Sequence, residues 1–568
     1  MPSSLKGLRI RLGAALILTL LLSAVLSACA PATVAPTPAD GDTEAAADVP
    51  AADAPAAEGS STLRIAIVGD ESTLTPYTYI TGYPGWNLLL LQYDTLMQLD
   101  LAGVPQPWLA TNAEYSDDGL TVTLDLREDV TWHDGEPFTA EDVKFSVEYY
   151  KAHPRSRFTA ALTPVASVET DGDYRVILTL ANPAPSLELG TLSDVPMMPQ
   201  HIWADVETPE EYAGEDANVG TGPYKLVDYT PDQFYIFEAN ADYFAGAPAV
   251  DELVAIKFAD DAGTLAALRT NEVDMIVRPI GPEQIDLLAA QDGLAVAQGP
   301  LFTTQMLNYD MQRAPFNNLA VRQAISLGVD RQDIIDTVFL GYGTVGSPGW
   351  VHPVSPFYNP DVVASFDPVQ AQAILDEAGI VDSDGDGVRE LDGEPLAFGL
   401  IVNGSDSLRL RISELVAAML ADVGMAVEIS AVESTTWEEA VWPGFDVNQG
   451  RNYDMAMWGW SAPVQADVVR SASLIHSDPA IGNLNLTGYV SEEADALGAA
   501  LRTEVDADAR AELAGELQTL IARDLPFVLL LYPDGAYAYN ESVYADWAFM
   551  SGQGVFHKLS LLVPEARP

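Results

Sequence analysis

Apolar and polar positions alternate over residues 62–68 (TLRIAIV), 121–126 (TVTLDL) and 174–180 (YRVILTL), with β-branched residues throughout, which predicts three strands. The first is followed by a loop rich in Thr, Tyr, Pro and Gly over residues 69–85, then by a helix predicted over 87–97. Over residues 139–150 the period changes. Thr139 fits a helix N-cap with Asp142 three residues on, and Val143, Val147 and Tyr150 recur at helical spacing. Beyond Leu301, helices are predicted at 319–327, 368–378, 407–423 and 508–523. Between them, the short apolar runs MAVEISAV, YDMAMWGW and PFVLLLY have the character of strands buried in an α/β sheet. The pattern shows no tandem repeat and no heptad, and the mixture places the chain in the α/β class.

The N-terminal pattern is of another kind. Lys6, Arg9 and Arg11 precede an apolar run over 12–28, ending in Leu26-Ser27-Ala28-Cys29. This predicts a lipoprotein signal peptide over residues 1–28, with Cys29 becoming the lipidated first residue; the other reading is an uncleaved membrane anchor with an incidental cysteine. Cys29 is the only cysteine, which excludes disulfides, CxxC pairs, thiolate zinc sites and a cysteine nucleophile in the folded body. Residues 29–60 are rich in Ala, Pro, Asp, Glu and Thr and poor in large apolar side chains, so they bury too little to offset ordering entropy and predict a disordered tether. The body is long enough for more than one core. A formal charge of −56 with six lysines excludes a nucleic-acid partner and anionic headgroup binding, and suggests a surface adapted to salt.

Several motifs recur in a telling order: Tyr93-Asp94-Thr95-Leu96, Pro107-Trp108-Leu109-Ala110, and the long segment Trp132-His133-Asp134-Gly135-Glu136-Pro137-Phe138-Thr139-Ala140-Glu141-Asp142-Val143. Then come Pro199-Gln200-His201-Ile202, Gly220-Thr221-Gly222-Pro223-Tyr224, Asn240-Ala241-Asp242-Tyr243-Phe244 and Pro315-Phe316-Asn317-Asn318 before Val321-Arg322-Gln323-Ala324-Ile325. In these motifs the sequence resembles the family 5 extracellular solute-binding proteins of ABC transporters, which include oligopeptide- and dipeptide-binding proteins. The residues themselves read as structural. Asp134-Gly135 is a turn, His133 a packed histidine, and Gly220-Thr-Gly-Pro-Tyr lacks the lysine of a phosphate-binding loop. ATP hydrolysis therefore belongs to another subunit.

The resemblance implies a type II periplasmic-binding-protein fold, a Venus flytrap of two lobes. Carried onto this chain, lobe one takes residues 62–93, 201–300 and 538–568, a subdomain over 94–200 is inserted in it, and lobe two takes 301–537. Hinges are expected near Pro300 and over 532–537. The implied role is the substrate-binding subunit of an importer, a monomer outside the cytoplasm, held to the membrane by its lipid and serving permease and ATPase subunits.

A cleft that captures a solute needs flat side chains and a few polar anchors. Tyr77, Tyr79, Tyr83 and Trp86 are candidates in the loop after the first strand, with Trp460 on lobe two and Asn308, Asn485 and Tyr489 at its mouth. The resemblance implies a Gly-Trp pair followed, in peptide binders, by an aspartate that holds the peptide ammonium. This chain reads Gly459-Trp460-Ser461-Ala462-Pro463, with the next acid at Asp467. Two readings stay open: Asp467 supplies the carboxylate and the ligand is a peptide, or the ligand is a sugar or another metabolite without an ammonium. Separately, Asp382, Asp384 and Asp386 occupy positions 1, 3 and 5 of a calcium loop with Gly387 at 6 and Glu390 nearby, but Gly393 stands where the bidentate glutamate belongs. A structural calcium and a plain Asp/Gly turn both fit; no other cofactor is expected. The rival class is a secreted hydrolase, since two carboxylates suffice for glycoside cleavage, but HExxH and GxSxG motifs are missing. A receptor-fold sensor or chaperone without transport is the third reading.

Overall fold

The computed structural model describes residues 61–568 except 81–83, 215 and 462–465. The lipidation segment with Cys29, the tether and Tyr83 lie outside the described residues. Among those described, no helix is long and apolar enough to cross a membrane.

The organising element is the 14-residue strand Phe527–Asn540. Its first part pairs antiparallel with Gln305–Tyr309, from Phe527 opposite Asn308 to Leu531 opposite Gln305; its second part pairs with Leu294–Pro300, from Asp534 opposite Pro300 to Asn540 opposite Leu294. Around it runs a 12-stranded sheet. On one side Thr62–Val68 lies parallel to Glu252–Phe258 and Met275–Ile276; on the other Ala397–Asn403 lies parallel to Ala426–Val432 and Met455–Trp458. The run PFVLLLY thus begins a strand twice as long as its apolar pattern predicts. Pro533 lacks an amide hydrogen and reads as a breaker, but it sits where the strand changes partners, opposite Gly343 and just before Asp534.

Each half has its own core. Leu63, Ile65 and Ile67 turn one face of their strand into a cluster that continues through Leu88, Trp132, Tyr150 and Phe237 to Leu559. Leu307, Leu400, Val402 and Leu530 pack beneath helices on one face of the second half, while Met306, Ala456, Trp458 and Leu529 face the other way into a second cluster. This is the two-lobed α/β fold that the motif order implies.

The inserted segment carries a four-stranded antiparallel sheet, Ala110–Tyr115, Thr121–Leu126, Arg175–Leu180 and Val165–Thr170 in spatial order. Its long helix, Ala140–Ala152, begins with the anticipated capping box, the Asp142 carboxylate accepting from the Thr139 amide at 2.9 Å. By contrast, the helix predicted over 87–97 is Gly85–Gln92. Tyr93 turns extended because Asp94 is recruited elsewhere.

Asp94 explains most of the recognised motifs at once. Its buried carboxylate accepts from Trp108 Nε1 at 2.8 Å, Tyr243 Oη at 2.9 Å and Thr221 Oγ1 at 3.0 Å, and forms an ion pair with Lys558, which also donates to the Tyr93 carbonyl at 3.0 Å. Four motifs and the C-terminal tail meet in one polar knot inside lobe one. A second weld lies beside it. His133 Nδ1 accepts from the Gly220 amide at 3.2 Å and its Nε2 donates to the Gly222 carbonyl at 3.0 Å, an arrangement only the neutral ring can make. Burial pushes the imidazole down to about 4, so it stays neutral. Glycine is required at 220, where a Cβ would lie 1.9 Å from the Gln92 carbonyl oxygen.

Candidate ligand-binding cleft

Strand direction locates the cleft. Thr62–Val68 and Met275–Ile276 run opposite to Phe527–Asn540, so their carboxyl ends point toward lobe two; Met455–Trp458 and Ala397–Asn403 run along it, so theirs point toward lobe one. The two sets of carboxyl ends face each other where the chain crosses between lobes, the position at which open α/β sheets bind ligands. The crossings are residues 301–304 and the stretch of the long strand around Tyr532–Asp534.

On the lobe-one side the strand ends release Asp70, Glu71 and Arg278. Glu71 is buried, and that burial pushes its carboxyl up to about 7, with the Arg278 charge pulling the other way. Asp70 accepts from Tyr229 Oη at 2.7 Å and from Tyr235 Oη at 3.0 Å, which ties the loop to the sheet. On the lobe-two side, Asp406 and Glu433 cap the helices Ser407–Ala421 and Ser434–Val441 with their own side chains. Arg409, one turn into the first of these, donates from Nε to Gln305 Oε1 at 2.9 Å.

Of the expected ligand residues, Trp460 is half-exposed at the end of Met455–Trp458 and is held by its backbone: its amide donates to Thr304 Oγ1 at 2.8 Å and its carbonyl accepts from the Thr304 amide at 3.1 Å. Thr304 belongs to a crossing segment, so Trp460 sits at the hinge side of the cleft. Trp86 is also half-exposed, but its face is covered by the Arg157 guanidinium at 3.7 Å.

The other expected residues are engaged by the fold. Tyr77 and Tyr79 are 2% and 1% exposed. Tyr77 stacks on Tyr150 and donates to the His153 carbonyl at 2.7 Å, while Tyr79 packs against Phe158. They anchor the loop into lobe one rather than line the cleft, because the loop folds back over the Ala140–Ala152 helix. Asn308 points into lobe two, 2% exposed, and its amide nitrogen has no partner among the described residues. Tyr489 is buried with its hydroxyl on Asp524, and Asn485 bonds the His476 and Tyr489 carbonyls at 3.2 and 2.8 Å. Neither lies at a mouth. Asp467 caps a short helix, accepting from the Val469 amide at 3.0 Å, with Ser186 of the inserted subdomain beside it. Burial raises its carboxyl above the usual range. A methyl group at Gly119 would likewise lie 3.6 Å from both Val505 and Pro183, so the insert touches lobe two.

The acidic loop brings one oxygen each of Asp382, Asp384 and Glu390 within 4.8 Å of one another. Asp386 stands outside this group. Asp382 accepts from the Gly385 and Gly387 amides at 2.7 and 3.0 Å, Asp386 from Val388 at 2.8 Å and Glu390 from Ser383 at 2.8 Å. The carboxylates are thus occupied by the loop's own backbone donors, as an Asp/Gly turn requires.

Comparison with known proteins agrees with this architecture. The chain is 26% identical over 487 residues to the oligopeptide-binding protein AppA of Bacillus subtilis, covering 83% of this chain and 86% of the relative. It is 32% identical over 341 residues to a Brucella ovis protein provisionally named an ABC transporter peptide-binding protein, covering 59% of this chain; the match spans 62% of that relative's length. Among solved structures, NikA of Brucella suis in complex with Fe(III)-EDTA superposes with a TM-score of 0.74 at 24% identity, covering 89% of this chain and 99% of that one. The AppA structure of Bacillus subtilis in complex with a nonapeptide gives 0.68 at 23%, with coverage of 89% and 99%. The sequence profile of the bacterial extracellular solute-binding proteins, family 5, matches residues 104–478, and the chain belongs to that family.

Proposed function

We propose that this protein is the extracytoplasmic substrate-binding subunit of an ABC importer. It captures a small solute between its lobes, performs no chemistry on it, and delivers it to a permease driven by separate ATPase subunits. Cys29 carries the lipid anchor, residues 29–60 form the tether, and the receptor works as a monomer. The observation that carries this reading is the pair of facing strand ends joined by two crossing segments. Such an arrangement lets two rigid cores rotate about a few backbone dihedrals and enclose a guest.

A peptide is the first ligand reading, supported by the names of the relatives. A second is kept open by one feature of this chain: residues 461–466 hold no acid to meet a peptide ammonium, and Asp467 is engaged as a helix cap. A solute without an ammonium is the alternative that this feature leaves open. Mass spectrometry of the solute released when the purified protein is denatured distinguishes them. A peptide with a free amino terminus supports the first reading and a different metabolite the second; turnover of an offered peptide or glycan would overturn both.

A further inference from the structure

Lobe two displays more aromatic surface beside the cleft than its strand ends account for. Trp442 meets Trp460 edge-on at 5.6 Å, and Phe445 meets Trp442 edge-on at 5.3 Å. Phe445 is 62% exposed and holds a φ of 56°. A bulky residue rarely adopts the left-handed region, and the strain persists only where something gains from it. Burial gives no return here, since most of the ring faces solvent.

Two further observations concern polar groups along the same wall. The indole nitrogens of Trp442 and Trp458 are buried and find no acceptor among the described residues, as is also true of Trp132, Trp203 and Trp547 elsewhere in the chain. Next to them the Arg409 guanidinium lies against Gly459, its Nη2 2.6 Å from where a side chain there would begin. Its closest carboxylate is Asp406 at 3.5 Å, and that group already accepts from the Arg409 amide at 3.0 Å as a helix cap. Enclosed, cationic and loosely paired, the guanidinium is an anchor for an anion in a protein otherwise charged −56.

We infer that Arg409 and the aromatic lip of Trp442, Phe445 and Trp460 form a subsite for an acidic solute that carries a flat ring or similar apolar face beside its carboxylate. The guanidinium takes the carboxylate and the lip covers the ring. This rests on the receptor reading above and narrows its ligand.

The test uses the full mature protein and three peptides: N-acetyl-Ala-Ala-Phe with a free carboxylate, its C-terminal amide, and N-acetyl-Ala-Ala-Ala with a free carboxylate. Binding is read by calorimetry and tryptophan fluorescence. The free acid is expected to bind at least about tenfold more tightly than its amide. Phe445→Gly is expected to weaken the phenylalanine peptide about tenfold, with little effect on the alanine peptide, and to raise the melting temperature by relieving the backbone. Arg409→Gln is expected to erase the preference for acid over amide. Equal binding of acid and amide, or unchanged affinity in Phe445→Gly, would overturn the inference while leaving the receptor reading intact. If none of the three binds, the solute released from the protein decides: an acid with a flat ring supports the subsite, and any other solute overturns it. A protein that releases nothing and responds to none of the peptides contradicts the receptor reading itself.

Discussion

Replacing Asp94 by Asn tests the polar knot that joins the family motifs. Lys558 is 2% exposed and Asp94 is fully buried, so the substitution leaves an ammonium inside lobe one without its anion. Breaking a buried pair on one side costs about 3–5 kcal/mol. Lys558 has one escape, which is to lose its proton; at about 1.36 kcal/mol per unit below an ordinary lysine near 10.4, that route caps the cost at about 4.6 kcal/mol at pH 7 and about 2 kcal/mol at pH 9. Burial already holds Lys558 below the ordinary range even with Asp94 beside it. Between the folded and ordinary values the unfolded chain binds more protons than the folded one, so the variant must gain stability as pH rises. Guanidinium denaturation followed by fluorescence is therefore expected to show a loss of about 4 kcal/mol at pH 7 shrinking to about 2 kcal/mol at pH 9. In the double variant Asp94→Asn/Lys558→Met that pH dependence should vanish. A loss below about 1 kcal/mol at pH 7, or one that does not change with pH, refutes the reasoning.

The His133 weld follows the same sign in a more acidic window. With the folded ring near 4 and an ordinary histidine near 6.5, the weld is intact above pH 6.5 and forfeits up to about 3 kcal/mol as pH falls toward 4; His133→Gln, titrated by denaturant between pH 7 and 4, should lose less over that interval than the native chain. A chain of 83 acidic and 27 basic residues repels itself, so the melting temperature should climb as sodium chloride is raised, and a flat response would remove the case for salt adaptation. Because the Asp382–Glu390 carboxylates already accept backbone donors and Gly393 supplies no bidentate ligand, millimolar calcium is expected to leave the melting temperature unchanged. A clear rise, reversed by chelator, would assign a cation to that loop.

Local pattern reported local structure well. The alternation of Thr62–Val68 and Thr121–Leu126 gave strands with those bounds, and Thr139 with Asp142 gave the helix start. What the pattern missed depends on distant partners. Nothing near Gln92 signals a helix end; the cause is Asp94, drawn to a lysine 464 residues away. The strand beyond Tyr532 is hidden because the apolar run stops there and Pro533 reads as a breaker until the partners of Pro533 and Gly535, which are Gly343 and Gly299, are known. Tyr77 and Tyr79 illustrate the same limit at the site. Four aromatics in one loop suggest a ligand surface, yet two of them fill lobe one, and sequence carries no sign of which way a loop ring points. Trp442 and Phe445 went unread for the converse reason: they belong to a segment with no periodicity, and only the geometry sets them beside Trp460. Asp467 is a candidate by its charge alone, while its position at a helix start, with the Val469 amide pointing at it, gives it a capping role that charge does not reveal.

The central claim is mechanical: the halves on either side of residues 301–304 and 532–534 close over a solute. Small-angle X-ray scattering on the purified protein, first stripped of bound solute by denaturation and refolding and then resupplied with the solute it released, measures this directly. The account predicts a smaller radius of gyration with the solute present, by the amount of a lobe rotation. Identical scattering curves in the two states would contradict it.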